Sequence, residues 1–287
     1  MDQLELADRF DAQRPRLLGI AYRILGSLTE AEDAVQETWL RLLGRDVAVI
    51  ENLEAWLTTV VGRIGLNLLR SRRPLSERPL NGFLPEPVVA AEDEFNPEYQ
   101  ALIADAVGIA LQVVLDTLSP AERVAFVLHD MFSVPFGEIA ELLDRSPDAA
   151  RQLASRARRQ VHVSAPPPEP NLAAQRVAVD AYFAAARDGD LDALIAILDP
   201  EVVLRAHRRD GAPMVLNGPE QVSRGALAAG RHAAGVQPAL VNGSAGVVAY
   251  QDGAPFAVLA FTVRDGRITA IDIFNDPELV PRLLRRR

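Results

Sequence analysis

Arg151, Arg156, Arg158 and Arg159 crowd one short stretch, "DAARQLASRARRQ", with Gln152 and Ser155 among them. Guanidinium groups can grip phosphate or fork onto a guanine edge, and glutamine can read adenine. In the same stretch Ala150, Ala154, Ala157 and Val161 recur at steps of four, three and four, the spacing of one buried helical face. Alanines on that face let a second helix approach closely. The segment before it supplies one: residues 136–143 put Ile139, Ala140 and Leu143 on one side. "DRS" then turns the chain, Ser146 is placed to cap the next helix, and Pro147 stands at its first position. This is a helix-turn-helix plan, in which the second helix enters the major groove. The same residues also suit a basic surface helix on any helical bundle.

Two further clusters lie upstream. "DAVQETWLRLL" interleaves Asp33, Gln36, Glu37 and Arg41 with Val35, Trp39, Leu40 and Leu42. An exposed Trp beside acids suits a protein-docking face; Trp39 equally suits a core. The following segment has Arg63, Arg70, Arg72 and Arg73 with no acid from Val60 to Arg73, and adds Trp56, Thr58, Thr59 and Asn67. Cations, polar groups and an aromatic suit single-stranded nucleic acid, gripped by stacking and backbone contacts. The alternative is a solvated basic helix with Trp56 buried.

These residues need elements to hold them. Leu17, Leu18, Ala21, Tyr22 and Leu25 mark a helix that Gly26 and Ser27 break. Thr29 with Glu32 reads as a capping box opening a second helix, and "AWLTTVVGRIGLNLLRSRR" as a third, stopped before Pro74. Five prolines and an acidic run mark residues 74–98 as linker. Helical pattern resumes over 99–163, where Ser119 and Glu122 form another capping box with Pro120 at the first position. "SAPPPEP" reads as a second, extended linker. Beyond it two amphipathic helices precede strand-like pieces, and Asp265-Gly266 in "FTVRDGRITAI" signals a hairpin. The expected organisation is a helical domain at 1–74, a linker at 75–98, a helix-turn-helix domain at 99–163, a proline-rich linker at 164–170, and an α+β domain with a curved antiparallel sheet at 171–287.

Composition bounds the chemistry. The 287 residues contain no cysteine, which excludes disulfides and thiol catalysis and fits a reducing cytoplasm. No membrane-spanning apolar run and no signal-like N-terminus are present in the sequence. There is no lysine, so every cationic contact is made by the planar arginine fork. A formal net charge of −9 argues against indiscriminate nucleic-acid binding and leaves room for a local basic patch. In the last domain Asp199, His207, Tyr250 and Asp272 are the acid/base candidates. Asp272 leads them, because a carboxylate inside the apolar strand "TAIDIF" is unusual and marks a candidate pocket.

Taken together, "RLLGIAYRILGSLTEAEDAVQETWLRLL", "ENLEAWLTTVVGRIGLNLLRSRR" and "LSPAERVAFVLHDMFSVPFGEIAELLDRSPDAARQLASRARRQV" resemble bacterial extracytoplasmic-function (ECF) sigma factors. The first two resemble sigma region 2 and the third resembles region 4. The likeness implies two all-α sigma modules, a region 2 helical bundle and a region 4 helix-turn-helix. It implies core RNA polymerase and promoter DNA as partners, no membrane, no catalytic residue, no metal and no cofactor. By position, Asp33, Gln36, Glu37, Trp39 and Leu42 would touch polymerase. Asn52 and Leu53 would lie in the loop holding a flipped −10 base, and Arg63, Asn67, Arg70, Arg72 and Arg73 would hold the −10 strand. Arg151, Gln152, Ser155, Arg158 and Arg159 would face the −35 duplex. The C-terminal part resembles a SnoaL-like α+β cone, as in a sigma subgroup where the added domain is regulatory, and it leaves an unknown small ligand as a candidate partner. "NGFLPEPV" resembles that subgroup's interdomain linker and "FNDPELVPRL" an altered form of its C-terminal signature. "AHRRDGAPM" matches the subgroup's glycine-rich acidic motif poorly. Two alternatives stand beside this reading: a ligand-responsive helix-turn-helix regulator that never docks on polymerase, and a SnoaL-like isomerase or cyclase.

Overall fold

A computed structural model describes residues 3–71, 86–90, 109–164, 171–207, 214–230 and 235–284. Its described residues fall into two compact units, one holding 3–71 and 111–164, the other holding 86–90, 109–110, 171–207, 214–230 and 235–284. Residues 1–2, 72–85, 91–108, 165–170, 208–213, 231–234 and 285–287, and with them Arg72, Arg73 and most of both expected linkers, lie outside the described residues.

The first unit is all helical. Helix α1 spans Gln3–Leu25, α2 Leu28–Leu43 and α3 Leu53–Ser71. Leu17, Ile20, Ala21, Ile24 and Leu25 of α1 are fully or nearly fully buried with Leu28, Ala31 and Val35 of α2 and Leu57, Val61 and Leu66 of α3. Ser27, not Thr29, caps α2: its hydroxyl accepts from the Glu30 amide at 3.4 Å, so the helix starts before the expected capping box. Helix α4 spans Ile109–Thr117, and α5 Pro120–Phe126 continues into a π-helical turn, Val127–Met131. The capping box expected at Ser119 and Glu122 is present, with Pro120 at the helix start. Helices α6 (Phe136–Leu143) and α7 (Pro147–Ser164) form the helix-turn-helix. Asp144 terminates α6 in the left-handed conformation, and Ser146 accepts from the Ala149 amide at 3.2 Å to start α7. Both modules belong to this one unit, and α3 packs against α5 and α6. Gly62 permits that approach, since a Cβ there would stand 2.7 Å from Leu142 Cδ1.

The second unit has a seven-stranded sheet in the order β1-β4-β5-β6-β7-β2-β3. Its strands are β1 (Val89–Ala90), β2 (Leu198–His207), β3 (Met214–Asn217), β4 (Gly235–Val241), β5 (Ser244–Gln251), β6 (Ala254–Arg264) and β7 (Arg267–Phe274). Helices α8 (Leu172–Asp188), α9 (Leu191–Ile197) and α10 (Pro219–Gly230) contribute to one core with the sheet, and α11 (Leu279–Leu284) closes the chain. The sheet is mixed rather than wholly antiparallel, because β2 pairs parallel with β7. Asp199 belongs to β2, and His207 closes the same strand opposite Phe274. The Asp265-Gly266 hairpin forms as expected, both residues having positive φ, at 50° and 74°. Within the stretch expected as linker, Val89 and Ala90 pair with Leu240 and Val241 as an edge strand. Asn242 fastens it: its side-chain oxygen accepts from the Val88 amide at 2.7 Å, and its own amide donates back to Val88 at 2.8 Å.

Two rows across this sheet decide the role of Asp272. Phe261, Ile271 and Leu204 are register partners and belong to the core shared with the helices. Gly246, Ala260, Asp272 and Arg205 form the adjacent row, so the pleat aims Asp272 at the opposite face. Its carboxylate is 1 % exposed and takes a two-pronged grip from Arg205, Nε at 2.6 Å and Nη2 at 2.9 Å. Burial by itself would lower the Arg205 pKa, but the hydrogen bonds and charge of Asp272 raise it. Asp272 is thus one half of a forked ion pair on the face opposite the core shared with α8, α9 and α10. Replacing Asp272 with Ala would leave Arg205 without its partner in a largely buried site, and we expect a loss of about 3 kcal/mol. Denaturant unfolding of the sheet domain measures it, and replacing both residues together by apolar ones of similar size recovers most of the loss.

Candidate nucleic-acid and protein interfaces

The arginine helix α7 carries its charge where the sequence pattern places it. Ala150, Ala154 and Ala157 are buried against the rest of the unit. At about 100° per residue, Gln152, Ser155, Arg156 and Arg159 centre on the opposite side, and all four are exposed. Arg151 and Arg158 flank this face and are held in place. Arg151 pairs with Asp148 at 2.6 Å, and its guanidinium carbon lies 5.3 Å from the Phe136 ring centroid. Arg158 donates to Asp130, in the π-helical turn, at 2.6 Å. Arg156 and Arg159 have no acidic partner among the described residues. Arg156 is thus a member of the outward face that the list of expected −35 residues omits. Its signal was present in the helical angle, which places it beside Ser155 and Gln152 rather than toward the alanine seam.

A groove of about 690 Å³ runs between α1 and α2, lined by Ala7, Phe10, Asp11, Arg14, Glu32, Asp33, Val35, Gln36 and Trp39. Three of the expected docking residues, Asp33, Gln36 and Trp39, therefore share one surface. Trp39 is half-buried, its ring 4.9 Å from that of Phe10, so it serves core and groove at once. Glu37 lies beside this lining and pairs with Arg41 at 3.0 Å. Leu42 is a correction: it is fully buried and turned into the bundle. Its neighbours Leu40 and Leu43 are exposed instead, at 54 % and 43 %, and are the apolar groups a partner could cover.

In α3, Arg63, Asn67 and Arg70 are exposed along the helix. Arg63 donates to the Glu141 carbonyl of α6 at 3.2 Å. Trp56 is half-buried, between the two alternatives read from sequence. Asn52 and Leu53 have local structural roles. The Asn52 side chain accepts from the Ala55 amide at 3.1 Å, and Leu53 is buried as the first residue of α3. Asn52 is itself exposed, as are Glu51 and Val49 before it.

In the sheet unit, burial pushes the Tyr182 hydroxyl above its ordinary pKa, within a cluster of edge-packed rings with Phe183 and Phe261. Tyr250 is half-buried near the end of β5. The structure brings none of Asp199, Tyr250 and Asp272 into a common site: Asp199 accepts from the Glu201 amide at 2.8 Å, and Asp272 is held by Arg205. No described helix is long and apolar enough to cross a membrane, and no group of three metal-ligating side chains occurs among the described residues.

Comparison with known proteins converges on one family. Residues 10–74 match the family described as sigma-70 region 2, and residues 109–161 match sigma-70, region 4. The chain is 41% identical over 302 residues to the ECF RNA polymerase sigma factor SigJ of Mycobacterium tuberculosis, covering 97% of this chain and 94% of that protein. It is 35% identical to the probable ECF RNA polymerase sigma factor SigI of Mycobacterium tuberculosis, covering 93% and 91% of the two chains. It superposes on the crystal structure of Mycobacterium tuberculosis SigJ with a TM-score of 0.78 at 38% identity, over 95% of this chain and 97% of the other. With the groove between α1 and α2 and the arginine face of α7 on one chain, the conclusion is direct: this protein belongs to the ECF family of RNA polymerase sigma factors.

Proposed function

We propose that this chain directs core RNA polymerase to promoters by holding polymerase through the α1–α2 groove, gripping the −10 strand along α3, and reading the −35 duplex with α7. The observation that carries the reading is the outward face of α7. Two arginines there are fixed by carboxylates and two are left for DNA, on a helix whose other side is an alanine seam. Pre-paired Arg151 and Arg158 enter the groove already oriented. Arg156 and Arg159 supply the contacts not committed within the chain. The chain performs no bond chemistry of its own in this account: it supplies promoter choice and strand opening, and polymerase supplies catalysis. Opening the −10 element costs a few kcal/mol of stacking, which contacts from Arg63, Asn67, Arg70 and neighbouring residues would offset. The negative total charge restricts binding to this patch and makes the polymerase-bound state the one in which DNA is read.

The sheet unit has a regulatory part in this proposal. Its β1 edge is drawn from the segment between the two sigma modules, so the domain holds part of the chain that joins them. No small ligand is assigned to it, since the strongest candidate carboxylate is tied up by Arg205.

Transcription in vitro with purified core polymerase tests the proposal. A promoter-specific transcript is expected, with Arg156→Ala and Arg159→Ala each losing about 1–3 kcal/mol of promoter affinity, read as roughly tenfold less product at limiting chain. Neither variant should alter capture by polymerase. Asp33→Arg should do the reverse, cutting polymerase capture about tenfold through like-charge and steric mismatch at the groove. Truncation after residue 163 should change the amount of transcript from a fixed promoter, and an unchanged amount would remove the regulatory role. A chain that neither co-purifies with polymerase nor yields a specific transcript contradicts the whole reading.

A further inference from the structure

Two residues of the π-helical turn, His129 and Asp130, reach the arginine helix by different routes. Asp130 holds Arg158 of α7 on one carboxylate oxygen, with Nε at 2.6 Å and Nη2 at 2.5 Å, and its side chain is 16 % exposed. This ties the body of α7 to the turn. His129 acts through a ring. Its imidazole stacks on Phe136, the first residue of α6, with centroids 3.7 Å apart and planes inclined by 28°. The Arg151 guanidinium carbon lies over that same Phe136 ring, 5.3 Å from its centroid. Arg151 and Arg158 are about two helical turns apart, so they stand nearly in line, roughly 10.5 Å from each other, along one margin of the outward face.

The backbone around the turn explains why the ring is held. π-Helical turns are rare and occur mostly as single turns. This one runs Val127–Met131 and is followed by Ser133 at φ 56°, in the left-handed region. The chain folds back there, so that the Val134 amide donates to the Leu128 carbonyl at 2.9 Å and the Val134 carbonyl stands 3.0 Å from His129 Nδ1. A carbonyl only accepts, so Nδ1 carries the proton, and the bond sets the plane of the imidazole. Phe136 begins the face on which Ile139, Ala140 and Leu143 are buried, yet it is itself half-buried. The uncovered part of its ring is a platform for a cation.

On Arg151 this platform and Asp148 act together. Asp148 engages Nη1 at 2.6 Å, and Nε and Nη2 of Arg151 have no partner among the described residues. Those two nitrogens form one edge of the planar fork, the shape that addresses O6 and N7 of guanine. A single hydrogen bond at Nη1 leaves the fork free to turn about it. The Phe136 ring supplies the second constraint, and a fork fixed in plane loses less freedom on binding than a loose one.

We infer that Phe136, backed by His129, is a positioning residue for promoter choice: it fixes the plane of the Arg151 guanidinium and so sets which base Arg151 accepts in the −35 element. Part of the selectivity of α7 is then decided by residues that precede the helix and touch no DNA. This inference rests on the sigma-factor reading above.

The test reads base preference rather than activity alone. Core polymerase carrying the chain is mixed with a promoter it transcribes, randomised through the −35 element, and the bound DNA is recovered and sequenced. Arg151→Ala should flatten the preference at one position, which identifies the base pair that Arg151 reads. Phe136→Leu keeps an apolar side chain and removes the ring face. It should flatten the same position by roughly fivefold or more and leave the others as they are. Phe136→Tyr keeps the ring and should retain the wild-type preference. In the Arg151→Ala background Phe136→Leu should add nothing, since both changes remove one contact. Wild-type preference in Phe136→Leu overturns the inference. So does an equal loss at every position, an effect that persists in the Arg151→Ala background, or an Arg151→Ala chain that flattens no position. Should Phe136→Leu weaken capture by polymerase, His129→Leu decides: it removes the backing ring and must weaken preference at that same position, and an unaltered preference overturns the inference. A wild-type chain that captures no polymerase and selects no DNA overturns the sigma-factor reading and this inference with it, and capture reads that out separately.

Discussion

The last turn of α1 presents carbonyls that its own helix cannot use, and the rest of the first unit is arranged around the donors that meet them. Gln112 and Arg123 come from the far module and converge on Tyr22 and Arg23. Because unpaired buried acceptors are costly, this sets where α4 and α5 must lie relative to α1. Once they are there, α6 falls against α3, and Gly62 is the residue whose missing side chain admits Leu142. A sequence of two separate sigma modules thereby becomes a single compact body.

Charge is distributed with the same economy. The protein is acidic overall, yet α7 sets four arginines against one acid of its own, Asp148. Exposed ion pairs such as Arg151 with Asp148 add little stability. Their value is orientation: they hold two guanidinium groups at the margin of a face whose centre is Gln152, Ser155, Arg156 and Arg159. In the sheet unit the fork between Arg205 and Asp272 sits between neighbouring strands, where an unpaired charge would be expensive. It looks like a catalytic carboxylate in the sequence only because its partner is 67 residues away.

Local signals were legible wherever they depend on neighbours in the chain. The Ser119–Glu122 box, the Ser146 cap, the bounds of α6, the alanine seam of α7 and the Asp265-Gly266 hairpin all follow from residue types at fixed offsets. The misplacements have long-range or competing causes. Ser27 displaced Thr29 as a cap because a cap lies just outside its helix, and α2 begins at Leu28, making Ser27 the adjacent residue. Leu42 entered the docking set by resemblance alone, and only the packing of α2 with α1 and α3 shows that its side is covered. Asn52 is polar and near a loop, which suits a base contact and a helix cap equally. The parallel pairing of β2 with β7, the edge strand at Val89–Ala90 and the joint between the modules are contacts between distant segments that no local pattern encodes.

The central claim is that this chain reads two promoter elements at once and opens one of them, and footprinting the assembled complex tests it most directly. Core polymerase with this protein on a promoter it transcribes should protect the −35 region as duplex and render thymines around −10 reactive to permanganate. Polymerase without the chain should do neither. Protection at −35 with no reactive bases near −10, or the same pattern with and without the chain, would contradict the account.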